Sequence, residues 1–172
     1  ARFANALVTL GCSPADATWC AGVDALSFGA TKNGALAAEA VLFFRPGKSD
    51  ELRFRRKRAG HLFSKMRFLS AQLDAYLKDD LWLGHARHAN AMAALLAAGL
   101  GAIEAVDFLY PVEANELFVS LPAAIRDGLA ADNFAFYPWI AGGPDCIRLV
   151  TAFDTPAAAV DAFIDSARGH AP

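Results

Sequence analysis

The sequence predicts an α/β chain, with a mostly parallel sheet carrying one antiparallel strand, long helices, and then a small α+β unit. "VDALSF" and "AAEAVLFF" are apolar runs of strand length. Roughly eight residues separate them, and a parallel crossover needs a dozen or more, so the two are expected to pair antiparallel. "ARFANALVTLGCS" ahead of "VDALSF" reads as a helix feeding a strand, the unit from which parallel sheets are built. Beyond Gly101 the pattern changes to strand–strand–helix–strand–strand–helix, the order of a small α+β unit.

The elements follow in order. Phe3, Ala6, Leu7 and Leu10 have helical spacing, and Gly11 is a stop. Ser13 is an N-cap with Pro14 at the first position of a short second turn. The two apolar strands come next. After "RPGKSD" the composition shifts to Arg, Lys, Leu and Phe, which predicts a helix over 50–78 with Phe63, Met66, Phe68 and Leu69 as its apolar face. A second long helix is expected over 81–100, joined to the first at "KDD". "VDFLYP" and "NELFVSLP" then read as strands, "AAIRDGLAAD" as a helix, and "FAFYPW" and "DCIRLVTAF" as strands. "PAAAVDAFIDSAR" is the final helix, with Asp154 or Thr155 capping it ahead of Pro156. The expected organisation is one domain segment over 1–80, a connecting helix over 81–100 and a small α+β domain over 101–172.

Composition narrows the function classes. The chain of 172 residues is 55% hydrophobic and 20% charged, enough apolar surface for a core and too little charge for a disordered chain. A net charge of −2 gives no global pull toward nucleic acid or anionic lipid. The longest apolar run, residues 91–103, is shorter than the roughly 20 residues needed to span a bilayer. No signal-peptide pattern is visible. Cys12, Cys20 and Cys146 are odd in number and scattered, so neither a disulfide framework nor a zinc site is expected, and a reducing, cytoplasmic compartment fits.

"SFGATKNGA" places Lys32 in a small-residue turn between the two apolar strands. It is either a solvated turn lysine or an amine that does chemistry. Gly29, Ala30, Gly34 and Ala35 leave room for a ligand to approach the backbone, and Ser27 and Thr31 offer hydroxyls nearby. The turn would lie at a strand carboxyl end, where α/β sheets gather ligands. A buried lysine loses its charge readily, and a neutral amine attacks carbonyls, which suggests a Schiff base. The order of residues excludes a phosphate loop.

Arg148 in "CIRLVT" is the one charge in an apolar run. It is either an edge-strand arginine facing water or a fork that binds a carboxylate in two hydrogen bonds. Arg53, Arg55, Arg56, Lys57, Arg58, Lys65 and Arg67 form a basic cluster that reads as a solvated helix face or a nucleic-acid patch. His85 and His88 could share a metal, but no third ligand stands at useful spacing, and no metal is expected.

Together these segments resemble a family. "VDALSFGATKNGALAAEAVLFF" is similar to the cofactor-lysine segment of the low-specificity threonine aldolases and their phenylserine aldolase relatives, pyridoxal-phosphate enzymes of the aspartate-aminotransferase-like fold. "ARFANAL" resembles the sequence at the family's Asp-Gly-Ala-Arg motif, "ARHANAMA" its His-Ala-Asn segment and "CIRLVTAFDT" its late arginine strand. Order and spacing agree over essentially the whole chain. The resemblance implies the C-terminal half of such an aldolase: the end of the large cofactor domain followed by the small domain. The Asp that contacts the pyridine nitrogen, the phosphate loop and the ring-stacking residue would lie upstream.

It further implies pyridoxal phosphate bound to Lys32, with Thr31 and Ser27 beside the cofactor. Arg67 would reach the cofactor phosphate across a subunit interface, although this chain has "LFSK" before Met66-Arg67 where the family commonly has glycines. Arg2 and Arg148 would bind the substrate carboxylate. The implied reaction is retro-aldol cleavage of a β-hydroxy-α-amino acid, of threonine or phenylserine type, to glycine and an aldehyde. The implied setting is a cytoplasmic homotetramer with no nucleic-acid or membrane partner. The alternative is a non-catalytic assembly or binding module derived from that fold.

Overall fold

The computed structural model describes residues 2–47, 49–62 and 64–172. Phe63, expected on a helix face, lies outside the described residues. The chain divides into two compact units, Ala1–Ala86 and Arg87–Pro172.

In the first unit, α1 (Phe3–Leu10) ends where Gly11 donates its N–H to the Leu7 carbonyl at 2.9 Å. The next turn is held reciprocally. Ser13 Oγ accepts from the Asp16 N–H at 3.2 Å, and the Asp16 carboxylate accepts from the Ser13 hydroxyl at 2.6 Å and the Ser13 N–H at 3.2 Å. β1 (Ala25–Gly29) and β2 (Glu39–Phe43) then pair antiparallel, with Ser27 opposite Val41. This is the reversed pair that the short connection dictates.

Two expectations change here. The parallel strands are not found: every strand pair among the described residues is antiparallel. The strands are also less buried than their composition suggests, with Val41 53% and Leu42 41% exposed, because a two-stranded pair has few neighbours to cover it.

The single helix expected over 50–78 is two, α2 (Leu52–Arg58) and α3 (Met66–Leu77). The last turn of α2 is all cationic (Arg55, Arg56, Lys57 and Arg58), which suits the carbonyl end of a helix. Gly60 then takes φ 73°, where a side chain would be strained. The inward residues of α3 are Leu73 and Tyr76, while Phe68 is 58% exposed instead of lining the apolar face. The joint at "KDD" is a short 3-10 turn in which Asp79 and Asp80 hold φ 53° and 56°. The core beneath is aromatic. Phe28 meets Trp82 edge-on at 5.7 Å and Tyr76 at 6.2 Å, and Phe3 lies 6.3 Å from both Phe28 and Trp82.

α4 (Leu81–Gly101) begins in the first unit and continues into the second. There β3 (Asp107–Phe108), β4 (Glu116–Ser120), α5 (Ala123–Ala131), β5 (Tyr137–Pro138), β6 (Cys146–Val150) and α6 (Ala157–Gly169) follow in the expected order. The sheet order is β3-β4-β6-β5. Alternation divides its faces. Leu117, Val119, Ile147 and Leu149 are buried against helix residues such as Leu100, Ile125, Leu129 and Ile164. Glu116, Phe118 and Arg148 point the other way and are only half-buried. Neither Asp154 nor Thr155 caps α6. Pro156 holds the cap position, and the Thr155 hydroxyl accepts from the Ala152 N–H at 2.7 Å in a local turn. Among the described residues no helix is long and apolar enough to cross a membrane.

Candidate functional site

β1 ends at Gly29, and Lys32 follows in a 3-10 turn, Thr31–Asn33, at that carboxyl end. The turn is fixed by its neighbours. Ala30 donates to the Ala38 carbonyl at 2.9 Å, while Asn33 and Ala35 both donate to the Ala30 carbonyl, at 2.9 and 3.2 Å. Gly34 holds φ 111°, a conformation a side chain rarely adopts. Thr31 Oγ1 accepts from the Ala38 N–H at 3.2 Å, leaving its own hydroxyl proton to donate elsewhere.

Lys32 is exposed, so its amine meets solvent at the end of the strand pair. The buried member of the turn is its neighbour, Asn33, 2% exposed. Its Nδ2 donates to the Tyr76 hydroxyl at 2.6 Å and the Trp82 carbonyl at 2.9 Å, and its own carbonyl accepts from His85 Nδ1 at 2.9 Å. Gln72 Oε1 receives the Leu36 N–H at 2.9 Å on the far side of the turn. Burial pushes the Tyr76 phenol up, partly offset by the amide proton from Asn33. The clamp therefore fixes the main chain and leaves the lysine amine free to reach a ligand.

The other expected residues are spread out. Ser27 is exposed on β1. Arg2 is half-buried at the start of α1, where its carbonyl accepts from the Ala6 N–H at 3.2 Å. Arg67 is exposed in the first turn of α3, its guanidinium 4.7 Å from the centre of the Phe68 ring. Arg148 belongs to the second unit, in mid-strand on β6. Its NH1 lies 3.6 Å from Glu116 Oε1, an ion pair longer than a hydrogen bond, and its side chain is 36% exposed.

His85 and His88 do not converge. His85 donates to Asn33, and His88 Nε2 donates to the Thr155 carbonyl at 2.7 Å. Among the described residues no three His, Cys, Asp or Glu side chains could hold a metal. Cys12, Cys20 and Cys146 are free thiols. An apolar pocket of about 310 Å³ opens in the first unit, lined by Phe3, Trp19, Leu26, Leu42 and Trp82 among others, but not by Lys32.

Sequence reasoning missed Asn33, Gln72, Tyr76 and Glu116, because their partners are 36 or more residues away or across a sheet. The legible signal was Asn33 itself, a polar residue fixed between the lysine and a glycine. Trp139 is half-buried on the outer sheet face beside Phe118.

A family model described as beta-eliminating lyase matches residues 1–124. The chain is 44% identical over 160 residues to a low specificity L-threonine aldolase of Pseudomonas sp. strain NCIMB 10558, and 45% identical over 155 residues to one of Pseudomonas aeruginosa. These matches take in 93% and 90% of this chain but 46% and 44% of those relatives, so the chain spans less than half their length. A solved threonine aldolase of Leishmania major matches with a TM-score of 0.86 at 28% identity, over 100% of this chain and 50% of that one. A NifS-like protein shares the fold at a TM-score of 0.58 and 18% identity, over 86% of this chain and 46% of its own. The α/β architecture is thus that of the threonine aldolase structure, and with most of its length matched by the family model, the chain belongs to the beta-eliminating lyase family.

Proposed function

We propose that this chain is the lysine-bearing part of a pyridoxal-phosphate-dependent aldolase, a carbon–carbon lyase that cleaves β-hydroxy-α-amino acids of threonine or phenylserine type to glycine and an aldehyde. The observation that carries this reading is the exposed amine of Lys32 on a clamped turn, in a chain 44% identical to a low specificity L-threonine aldolase over 93% of its length. The donor set fits the cofactor: an amine for its carbonyl carbon, and the hydroxyls of Ser27 and Thr31 together with Arg67 for its polar substituents.

Bound there, pyridoxal phosphate supplies an electron sink for the charge left on Cα when the Cα–Cβ bond breaks. Lys32 anchors it through Nζ. Asn33 and Gln72 hold the turn so that the amine, and not the backbone, does the moving. Arg148 takes the substrate carboxylate in its planar fork, with Arg2 as a second cation, and so sets which bond at Cα faces the sink. No residue of this chain is assigned as the base for the β-hydroxyl proton.

Residues 1–80 would then be the end of a large cofactor domain whose parallel strands come from polypeptide outside this chain. Residues 81–100 would be the connecting helix and 101–172 the small domain. A reducing cytoplasmic setting and a homotetramer complete the reading. A non-catalytic assembly module is the second reading, favoured by the exposure of Val41 and Leu42 on β2.

The test is made in a full-length enzyme carrying this chain. Lys32→Ala should abolish both glycine formation from threonine and the borohydride-trapped bond between cofactor and protein. Arg148→Lys should cost nearly as much as Arg148→Ala, roughly 2–5 kcal/mol in kcat/KM, because an ammonium cannot form the fork. Full activity with Lys32→Ala would remove the lysine from the reaction. Cofactor trapping without turnover of any β-hydroxy-α-amino acid would favour the assembly module.

A further inference from the structure

The outer face of the second unit's sheet is organised around Arg148. Phe118 on β4 and Tyr137 on β5 stand directly opposite it in register, and directly opposed side chains share a face. The Trp139 ring lies 4.7 Å from that of Phe118, tilted by 60°. Because β6 runs between β4 and β5, a Trp139 ring that touches Phe118 crosses β6 on the side that carries Arg148.

Its indole Nε1 is buried there with no hydrogen-bond partner among the described residues. An indole N–H only donates, and a buried donor without an acceptor destabilises the fold. Arg148 keeps an ion-pair partner, Glu116, but at 3.6 Å, beyond hydrogen-bond length. One neutral donor without an acceptor and one guanidinium in a long ion pair thus share a sheet face, with an aromatic wall beside them. That is the chemistry of a carboxylate carried on an organic group.

We propose that Trp139 is a substrate-binding residue: its indole N–H donates to the carboxylate that Arg148 binds. The inference rests on the assignment of Arg148 as the carboxylate fork. It explains why a tryptophan stands where a phenylalanine would stack on Phe118 equally well.

The experiment uses a full-length enzyme carrying this chain, with Lys32→Ala to prevent turnover, labelled with nitrogen-15 and titrated with threonine, then with threoninamide, which lacks the carboxylate. Trp139→Phe identifies the Trp139 indole resonance. The Trp139 Nε1–H signal should move downfield with threonine and stay in place with threoninamide, and Arg148→Ala should abolish the movement. Trp139→Phe should weaken threonine binding about tenfold, followed at the Arg148 Nε–H signal, because one hydrogen bond to a charged acceptor is lost. If the Arg148 signal responds to threonine while Trp139 stays silent, or if Trp139→Phe binds threonine as tightly as the same enzyme with Trp139 intact, the inference is overturned and the Arg148 assignment stands. If neither signal responds, both are overturned.

Discussion

Arg148 stands in the middle of β6, flanked by β4 and β5, and the residues alternating with it, Ile147 and Leu149, are buried against three helices. Lys32 stands beyond the end of a two-stranded pair whose second strand leaves Val41 and Leu42 exposed. The first cation is positioned by a continuous core, the second by a turn whose one buried residue, Asn33, donates two side-chain hydrogen bonds and accepts a third on its carbonyl. The two should therefore fail differently. Damage to the core disorders Arg148 cooperatively, whereas damage to the clamp frees Lys32 locally.

The largest effect should come from Leu117→Ala. Leu117 is fully buried at the centre of the second core, and truncation there should cost about 2–5 kcal/mol by urea denaturation. Amides of the Lys32 turn should keep their exchange protection in that variant. Equal loss in both units would show that the two cations share one core after all.

Asn33→Ala should come next. It strands the Trp82 carbonyl and takes one donor from the Tyr76 hydroxyl, at about 1–3 kcal/mol in all. Hydrogen exchange should quicken at the Ala35 and Leu36 amides and remain unchanged on β6.

A third difference is pH. The raised Tyr76 pKa means that folding favours the protonated phenol. That stability is complete below the ordinary tyrosine value of about 10 and is lost as pH rises through the folded value. Near-ultraviolet circular dichroism should show the first unit loosening on the alkaline side, and Tyr76→Phe should remove the effect.

The second unit has the opposite and smallest sensitivity. Hydrogen bonds from Ser166, first, and from His170 hold the Asp132 carboxyl below its usual range. Their contribution is present above the ordinary carboxylate value and lost as pH falls through the folded one. Ser166→Ala should flatten the acid side of the urea midpoint profile by a small margin.

What the sequence made legible divides along the same line. The strand–strand–helix–strand–strand–helix order of the second unit follows from local pattern, because each element carries its own alternation or helical period and its own stop. Lys32 and Arg148 stood out as charges set among apolar or small residues. The break between α2 and α3 was hidden, since a run of cations suits a helix interior as well as a helix end, and Gly60 alone marked the difference. The clamp could not be read, because Asn33 becomes meaningful only once Tyr76 and Trp82 are beside it. The exposure of β2 escaped for a related reason: composition says what a strand could bury, not whether anything covers it.

The left-handed pair Asp79–Asp80 has a consequence for sequence drift. It makes α3 and α4 two helices instead of one rod, and the Tyr76 and Trp82 rings lie 6.2 Å apart on either side of it, both addressed by Asn33. Each residue of a helix turns its side chain by about 100°. Adding or deleting one residue between Leu77 and Leu81 would swing one of those two acceptors away from Asn33. The tether of the lysine turn would then be lost with every residue of the turn intact. The "KDD" joint can therefore vary among residues that tolerate a left-handed backbone, but not in length, a constraint on insertions and deletions far along the chain from the amine it protects.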